Sequence, residues 1–345
     1  MTLVDAVRAT AGIQAQVQSS AEMAIWTRRR ATTRDDVRRA LWETRDLVKT
    51  SAMRLTLHLI PARDFAVYIA AMRPYSMATL ARWHARMGAK TEHVRAMIDT
   101  VVESLAGGAL TQQELIARAK TRAGKGVRAW LDHAWSAVRP AVIDGAIVYG
   151  PPRGAAATFV RADTWLGPQS APSVDAARIE LLGRFVSAFG PATAHDFAKW
   201  SGIKVSDARR SVDAARGGLA QVSVDGVPGW IREADARELA ASELDADAVR
   251  LLGPFDSFLL AHATKEHLVA ASAYKRVYRP QGWISAVVLR GGQIIGVWTM
   301  RSAGKTIAID VELFGRASAA VRRAIAREVD EMSAFLGAAT FARFV

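Results

Sequence analysis

The chain has 345 residues, half of them hydrophobic and 23% charged, with 46 basic against 33 acidic side chains and a net charge of +13. That length supports two or three modest cores, and no apolar run approaches the roughly 18 residues of a membrane helix. No charged–apolar–small leader opens the chain, so a cytoplasmic, nucleoid-associated protein with no membrane partner is expected. Cysteine is absent, which excludes disulfides, thiol catalysis and cysteine–zinc sites. The histidines are scattered, with His262 and His267 five apart and off a shared helical face, so no metal and no other cofactor is expected. The charge points first to a polyanion, nucleic acid above all.

Residues 3–11 and 21–30 read as short helices. Ser19 followed by Glu22 has the spacing of a capping box, which predicts that the second helix begins just after Ser19. A third helix follows Thr33, with Asp35 and Asp36 in its first turn, where negative charge suits the helix dipole. Thr56 to Ile60 favour a strand that Pro61 ends. Three short helices followed by a hairpin describe a winged helix-turn-helix over residues 1–66.

The element order then recurs. "LTQQELIARAK" opens a helix-turn-helix at Thr111, "VRAWLDHAWSAVRPAVIDG" supplies the next helix, and "AIVYGPPRGAAATFVRADTWL" reads as a wing with a Gly/Pro-rich tip. This second unit spans 67–172. In the third, 173–245, Phe189-Gly190-Pro191 stops the first helix, Ser201-Gly202 marks a turn and "LAQVSVDGVPGWI" is the wing. Residues 246–345 change texture. "LLGPFDSFLLA", "GWISAVVLRGGQIIGVWTMR" and "KTIAIDVELFG" read as strands, and a helix at roughly 316–336 closes the chain. The expected fold class is α+β, with three tandem winged helix-turn-helix units and a small β-rich C-terminal module.

Basic residues stand where winged helices would meet phosphates. Arg28, Arg29 and Arg30 end the second helix, Lys125 and Arg128 flank a candidate recognition helix, and Lys204, Arg209 and Arg210 do so in the third unit. Lys275, Arg276 and Arg279 form "YKRVYRP" in the C-terminal module. Each cluster also reads as an ordinary solvated helix face, and Arg28 to Arg30 as a complement to a helix C-terminus. Trp26 and Trp130 fall at helical spacing from apolar neighbours and read as core.

Familiar catalytic signatures are missing. There is no phosphate-binding loop and no nucleophile elbow, and Gly291-Gly292 with Gly296 lies between strands, which makes a hairpin rather than a dinucleotide site. The stretch "GIQAQVQSS" is left. In extended backbone Gln14 and Gln16 project to one side, whereas on a helix they diverge by about 200°. Two such amides donate and accept hydrogen bonds together and can hold one water. The plain alternative is that loop glutamines satisfy turn backbone. Gln18 reads as an ordinary loop residue.

"GIQAQ…AIWTRR" followed by "MRLTLHLIP", then "LLGPFDSFLLAHATKEHLV" and "YKRVYRPQGWISAVVLRGGQIIGVW", resembles the winged-helix DNA glycosylases of the AlkZ and YcaQ family. The resemblance covers most of the chain. It implies a C-shaped, basic molecule that wraps double-stranded DNA as a monomer and hydrolyses the N-glycosidic bond of bulky or crosslinked N7- or N3-alkylpurines, in DNA repair or in self-resistance to an alkylating natural product. It also implies that Gln14-Ala15-Gln16 is the glutamine–aliphatic–glutamine signature of the AlkZ-like branch. Arg54 and His58 of "RLTLH" are further candidates, Arg54 for DNA; leucine here stands where the family commonly has glycine, and His58 also reads as a strand-core residue. Alkylation leaves the purine cationic and ready to depart, so amides that orient a water against C1′ suffice. The rival class is a non-enzymatic winged-helix regulator, which predicts operator preference and no abasic product. A nuclease or lyase would need a metal carboxylate cluster or a Schiff-base lysine, and neither is evident.

Overall fold

The computed structural model describes every residue except His133; the side chains of Ala134, Trp135 and Ser136 are also outside the described residues. The single helix expected over "VRAWLDHAWSAVRPAVIDG" is corrected: the stretch holds the end of a helix at Lys125–Arg128, a tight turn at Trp130–Asp132 and a helix at Ala134–Asp144, with His133 outside the described residues. The fold is mixed α+β. Two compact units interleave along the chain. Met1–Val37, Val186–Asp196 and Gly218–Val345 form one; Arg38–Phe185 and Phe197–Gly217 form the other.

The chain opens with α1 (Leu3–Arg8), the two-residue strand β1 (Ile13–Gln14), α2 (Gln18–Arg28) and α3 (Arg34–Trp42), followed by the hairpin β2 (Leu47–Ser51) and β3 (Leu57–Pro61). Thr33 and Asp36 bond each other's backbone N–H at the start of α3, at 2.9 and 3.1 Å. The capping box expected at Ser19 is not formed. Val17 is the residue before α2, and no side chain caps it. Val17 packs on the apolar cluster around Phe255 and Leu259. That contact starts the helix at Gln18 and leaves Ser19 exposed in its first turn. Gln18 is thus helical, and its amide donates to Glu22 Oε1 at 3.3 Å. Trp26 is buried as expected, stacked on Phe335.

In the second compact unit, α4 (Phe65–Arg86) and α5 (Thr91–Ser104) lead to β4 (Leu110–Thr111), α6 (Gln112–Arg122), α7 (Lys125–Arg128), α8 (Ala134–Asp144) and the strands β5 (Ile147–Arg153) and β6 (Ala156–Arg161). Thr111 caps α6 in a true capping box with Glu114. Val94, Met97, Ile98 and Val101 recur at three- and four-residue intervals along α5 and share one core with Leu115, Val138 and Ala141. Trp130 packs against that core while only partly buried. The sheet order is β4-β6-β5.

After α9 (Ala162–Leu166) come α10 (Val174–Phe189), α11 (Ala194–Ser201), α12 (Val205–Ala215) and the antiparallel pair β7 (Leu219–Val224) and β8 (Val227–Arg232). Phe189 and Ser201 end their helices as the sequence predicts. Gly202 turns the chain at φ +92°, and a Cβ there would stand 3.3 Å from the Arg54 Cα.

The remaining elements are α13 (Ala236–Ala241), β9 (Val249–Leu252), α14 (Ser257–Leu260), α15 (Tyr274–Val277), β10 (Ala286–Arg290), β11 (Gln293–Ala303), β12 (Thr306–Leu313), α16 (Ala319–Leu336) and β13 (Thr340–Phe344). They build a sheet in the order β13-β12-β11-β10-β9, antiparallel except for the parallel pair β12–β13. Along β10, Ala286 and Val288 join the core under α16, while Val287 and Leu289 join the cluster of Phe255 and Leu259. Both faces are buried, so the strand reads as an apolar run rather than an alternation. Gly291 and Gly292 make the β10–β11 turn at positive φ, as expected. Two expectations are corrected. "PFDSFLLA" is not strand, because Asp256 accepts the Phe258 N–H and caps α14. The helix does not close the chain, because Gly337 turns it at φ +69° into β13. Among the described residues no helix is long and apolar enough to cross a membrane.

Candidate functional site

The glutamine triplet lies between β1 and α2. Gln14 is the last residue of β1 and is only 8% exposed; Ala15 is fully buried; Gln16 is exposed in a bend. Both amides precede the helix, as the sequence predicts, but they differ in environment: one is enclosed and one faces water.

The loop before them is tied down from the other end of the chain. Gly12, at φ +89°, gives its carbonyl to the buried Ser257 hydroxyl at 3.2 Å. The neighbouring Asp256 takes a bidentate ion pair from Arg28 of α2, at 2.9 and 2.8 Å. The Asp256 side chain is fully buried and that of Arg28 is 21% exposed. Burial works against the charged guanidinium, but the Asp256 carboxylate outweighs it and the Arg28 pKa is raised. Arg28 also donates to the Ala24 carbonyl. Close packing completes the arrangement, since a Cβ on Gly253 would meet Met23 Sδ of α2 at 3.0 Å. So β9, the Asp256-Ser257 turn, the glutamine loop and α2 form one assembly. The strand expected over "LLGPFDSFLLA" gave Asp256 and Ser257 no part in the site. The one local signal is Asp256 itself, a residue type favoured at helix N-caps.

The basic residues divide into two sets. Arg28 is an internal partner of Asp256 and is not solvated as a phosphate contact would be. Arg30 binds Glu328 at 2.8 Å and lies 4.1 Å over the Trp26 ring; Glu328 also accepts the Leu251 N–H. Arg29 donates to Thr32 and to the Met1 carbonyl. Arg54, at φ +55°, donates to the Trp200 carbonyl, and burial brings its pKa down to about 10 despite Tyr75. All four guanidinium groups are engaged by other groups of the protein. Lys125 and Arg128 on α7, Lys204 before α12, Arg209 and Arg210 on α12, Lys275 on α15 and Arg279 after it are exposed. Of these, Arg210 pairs with Asp207 on its own helix. Arg276 is half-buried against Phe314 and paired with Glu312.

His58 is a buried strand histidine. Its Nδ1 lies 3.0 Å from the Thr56 carbonyl. Burial, then the Arg54 charge, push its pKa down to about 3, partly offset by that hydrogen bond. The sign follows. Above its ordinary pKa of about 6.5 the group is neutral folded or unfolded. Below that, the unfolded chain takes up a proton that the folded one refuses. Stability therefore falls as pH drops from about 6.5 toward 3, by up to about 1.4 kcal/mol per pH unit. His58→Gln is expected to flatten this slope, which urea unfolding at pH ~7 and ~5 measures.

His262 and His267 do meet, with ring centroids 4.9 Å apart, because a loop rather than a helix joins them. His262 is held by the Phe189 carbonyl at 3.0 Å. Among the described residues no group of three or more His, Asp or Glu side chains has the arrangement to hold a metal ion.

A model of the AlkZ-like DNA glycosylase family matches residues 7–335. The protein is therefore a DNA glycosylase. A Streptomyces sahachiroi interstrand DNA cross-link repair glycosylase is 31% identical over 302 residues, covering 85% of this chain and 81% of that protein. The solved structure of the Streptomyces sahachiroi DNA glycosylase AlkZ superposes with a TM-score of 0.89 at 28% identity, covering all of this chain and 94% of the other. With the family match spanning nearly its whole length, this chain belongs to the AlkZ-like DNA glycosylases.

Proposed function

We propose that this glycosylase removes bulky or crosslinked N7- or N3-alkylpurines from duplex DNA, acting as a monomer, with Gln14 and Gln16 holding the attacking water. The observation that carries the reading is the Gln14-Ala15-Gln16 loop, fixed ahead of α2 through Gly12 and Ser257, in a chain of this family. The reaction asks little of the protein's acidity. The alkylated purine carries a positive charge. The C1′–N bond breaks, its electron pair leaves with the purine and neutralises it, and C1′ becomes oxocarbenium-like. Water oxygen bonds to C1′ and its proton passes to solvent. Amides that orient the water and share its charge meet this demand without a strong base.

The recurring helices with strand pairs β2–β3, β5–β6 and β7–β8 support a reading as three winged helices. The exposed Lys125, Arg128, Lys204, Arg209, Arg210, Lys275 and Arg279 are then the phosphate contacts. The function is tested by incubating the protein with an N7-alkylguanine duplex and with a matched crosslinked duplex. Release of free alkylpurine and alkali-labile abasic sites is expected. Sequence-selective binding of undamaged DNA, with no base released from either duplex, refutes the reading in favour of a regulator.

A further inference from the structure

Two cations from different elements of the second compact unit meet at one aromatic ring. Lys49 lies on β2 and Tyr149 on β5, and Lys49 Nζ stands 5.5 Å from the centroid of the Tyr149 ring. Arg139 lies on α8, and its charge reaches the same side chain. Burial pushes the Tyr149 phenol up, and the guanidinium offsets part of that rise. Phe159 fixes the ring from the core side, with centroids 4.9 Å apart. Lys49, Arg139 and Tyr149 are all half-buried.

The turn beside Arg139 is rigid. The guanidinium donates to the Leu55 carbonyl at 3.4 Å. Arg54 and Leu55 are consecutive non-glycine residues at positive φ, +55° and +60°. Such a conformation costs about 1–3 kcal/mol per residue and persists where the surroundings impose it. Here Leu55 packs on the core shared by α5 and α8, the Thr56 hydroxyl donates to the Met53 carbonyl at 3.0 Å, and Arg54 is held on the Trp200 carbonyl. Backbone strain imposed in this way gathers at functional positions.

The charges at this turn are arranged unlike the ion pairs of the chain. Arg28, Arg184 and Arg343 each sit against a carboxylate, and their pKa values are raised. At Arg139 burial lowers the pKa, and the phenol of Tyr149 only partly opposes it. Cations gathered on one half-buried ring lose hydration and repel each other, and a bound anion relieves both costs.

We propose that Lys49 and Arg139, braced on Tyr149, form a clamp for one phosphate of the DNA backbone. A phosphodiester offers a single charge and acceptor oxygens, which a guanidinium fork meets with directed donors and an ammonium with a point charge. The contact sets where the duplex lies on this unit and carries no base information. It therefore serves damaged and undamaged DNA alike, and it rests on DNA as the partner rather than on the alkylpurine assignment.

The test titrates an undamaged duplex across a salt series, with Lys49→Gln, Arg139→Gln, their double variant and the control Lys90→Gln. Lys90 is on the same unit with its side chain 75% exposed, so its loss removes equal charge from open surface. Each clamp variant is expected to raise Kd about tenfold, while Lys90→Gln stays close to parental. Because both cations serve one phosphate, the double variant should lose far less than the product of the single losses. Its slope of log affinity against log salt should be shallower by about 0.9, the value for one phosphate. Two independent contacts would instead multiply the losses and change the slope by about 1.8, which overturns the clamp. Parental affinity in both single variants overturns it as well, as does an equal loss in Lys90→Gln. Should Arg139→Gln melt early because the Leu55 carbonyl loses its donor, Lys49→Gln decides. A Lys49→Gln loss of affinity that merely follows a fall in melting temperature also refutes the clamp. A protein that releases no base from any alkylated duplex refutes the proposed function and leaves this comparison intact.

Discussion

Replacing Gln14 and Gln16 together with alanine is expected to slow single-turnover excision of an N7-alkylguanine about 100- to 1,000-fold, the scale of losing preorganised polar groups at a developing charge. Affinity for the damaged duplex should stay close to parental if, as proposed, the pair acts on water and not on phosphates. The two sites are not equivalent. Gln14 is enclosed at the end of β1, and Gln16 faces water. Gln14→Ala also removes a buried polar side chain with its own partners, so a small drop in thermal stability should accompany it. Gln16→Ala should melt with the parent. Parental rates in the double variant would remove the glutamines from the mechanism altogether.

Arg28→Ala is expected to destabilise the protein by about 3 kcal/mol, read by urea denaturation. The lost charge leaves the Asp256 carboxylate buried with the Phe258 N–H and no counter-ion. The figure sits at the low end for buried pairs because one edge of the guanidinium reaches solvent. Arg28→Lys keeps a charge but not the two-point geometry, and should fall between. A phosphate contact predicts the opposite pattern: parental stability and weaker DNA binding, with a shallower salt dependence. The measurement therefore decides between a residue that binds DNA and one that secures α2 to the turn beneath the glutamine loop.

Local signals in the sequence located many elements and misjudged some of their joints. The spacing of Thr111 and Glu114 produces a capping box; the same spacing at Ser19 and Glu22 does not. The difference is tertiary, since Val17 is fixed on the Phe255 cluster and helix α2 starts where that contact allows. The hairpin at Gly291-Gly292, the turn at Gly202 and the start of α3 each carry their own local turn or cap residues, and all were legible. The fates of Arg28 and Arg30 were not, because their partners lie 228 and 298 residues away. A run of three arginines looks the same whether phosphate or a buried carboxylate meets it. Strand β13 escaped notice for a related reason: its five residues find their place only by lying parallel to β12. At the candidate site, the pairing of amides was legible from alternation, but the turn that anchors them was not, since Ser257 meets Gly12 across 245 residues.

The unit that carries the glutamines joins residues 1–37 to residues 218–345, and this bears on how the protein is made. On the ribosome the glutamine loop emerges among the first residues, while Asp256 and Ser257 follow only after most of the chain has been synthesised. The stretch from Arg38 to Phe185 is complete long before then and can bury its own core. The loop therefore waits without its anchor through most of translation, and a product stopped before residue 256 carries both glutamines but lacks the Asp256 and Ser257 that meet Arg28 and Gly12. Pulse-labelled or prematurely terminated chains would be deficient in excision although every residue assigned to the reaction is present.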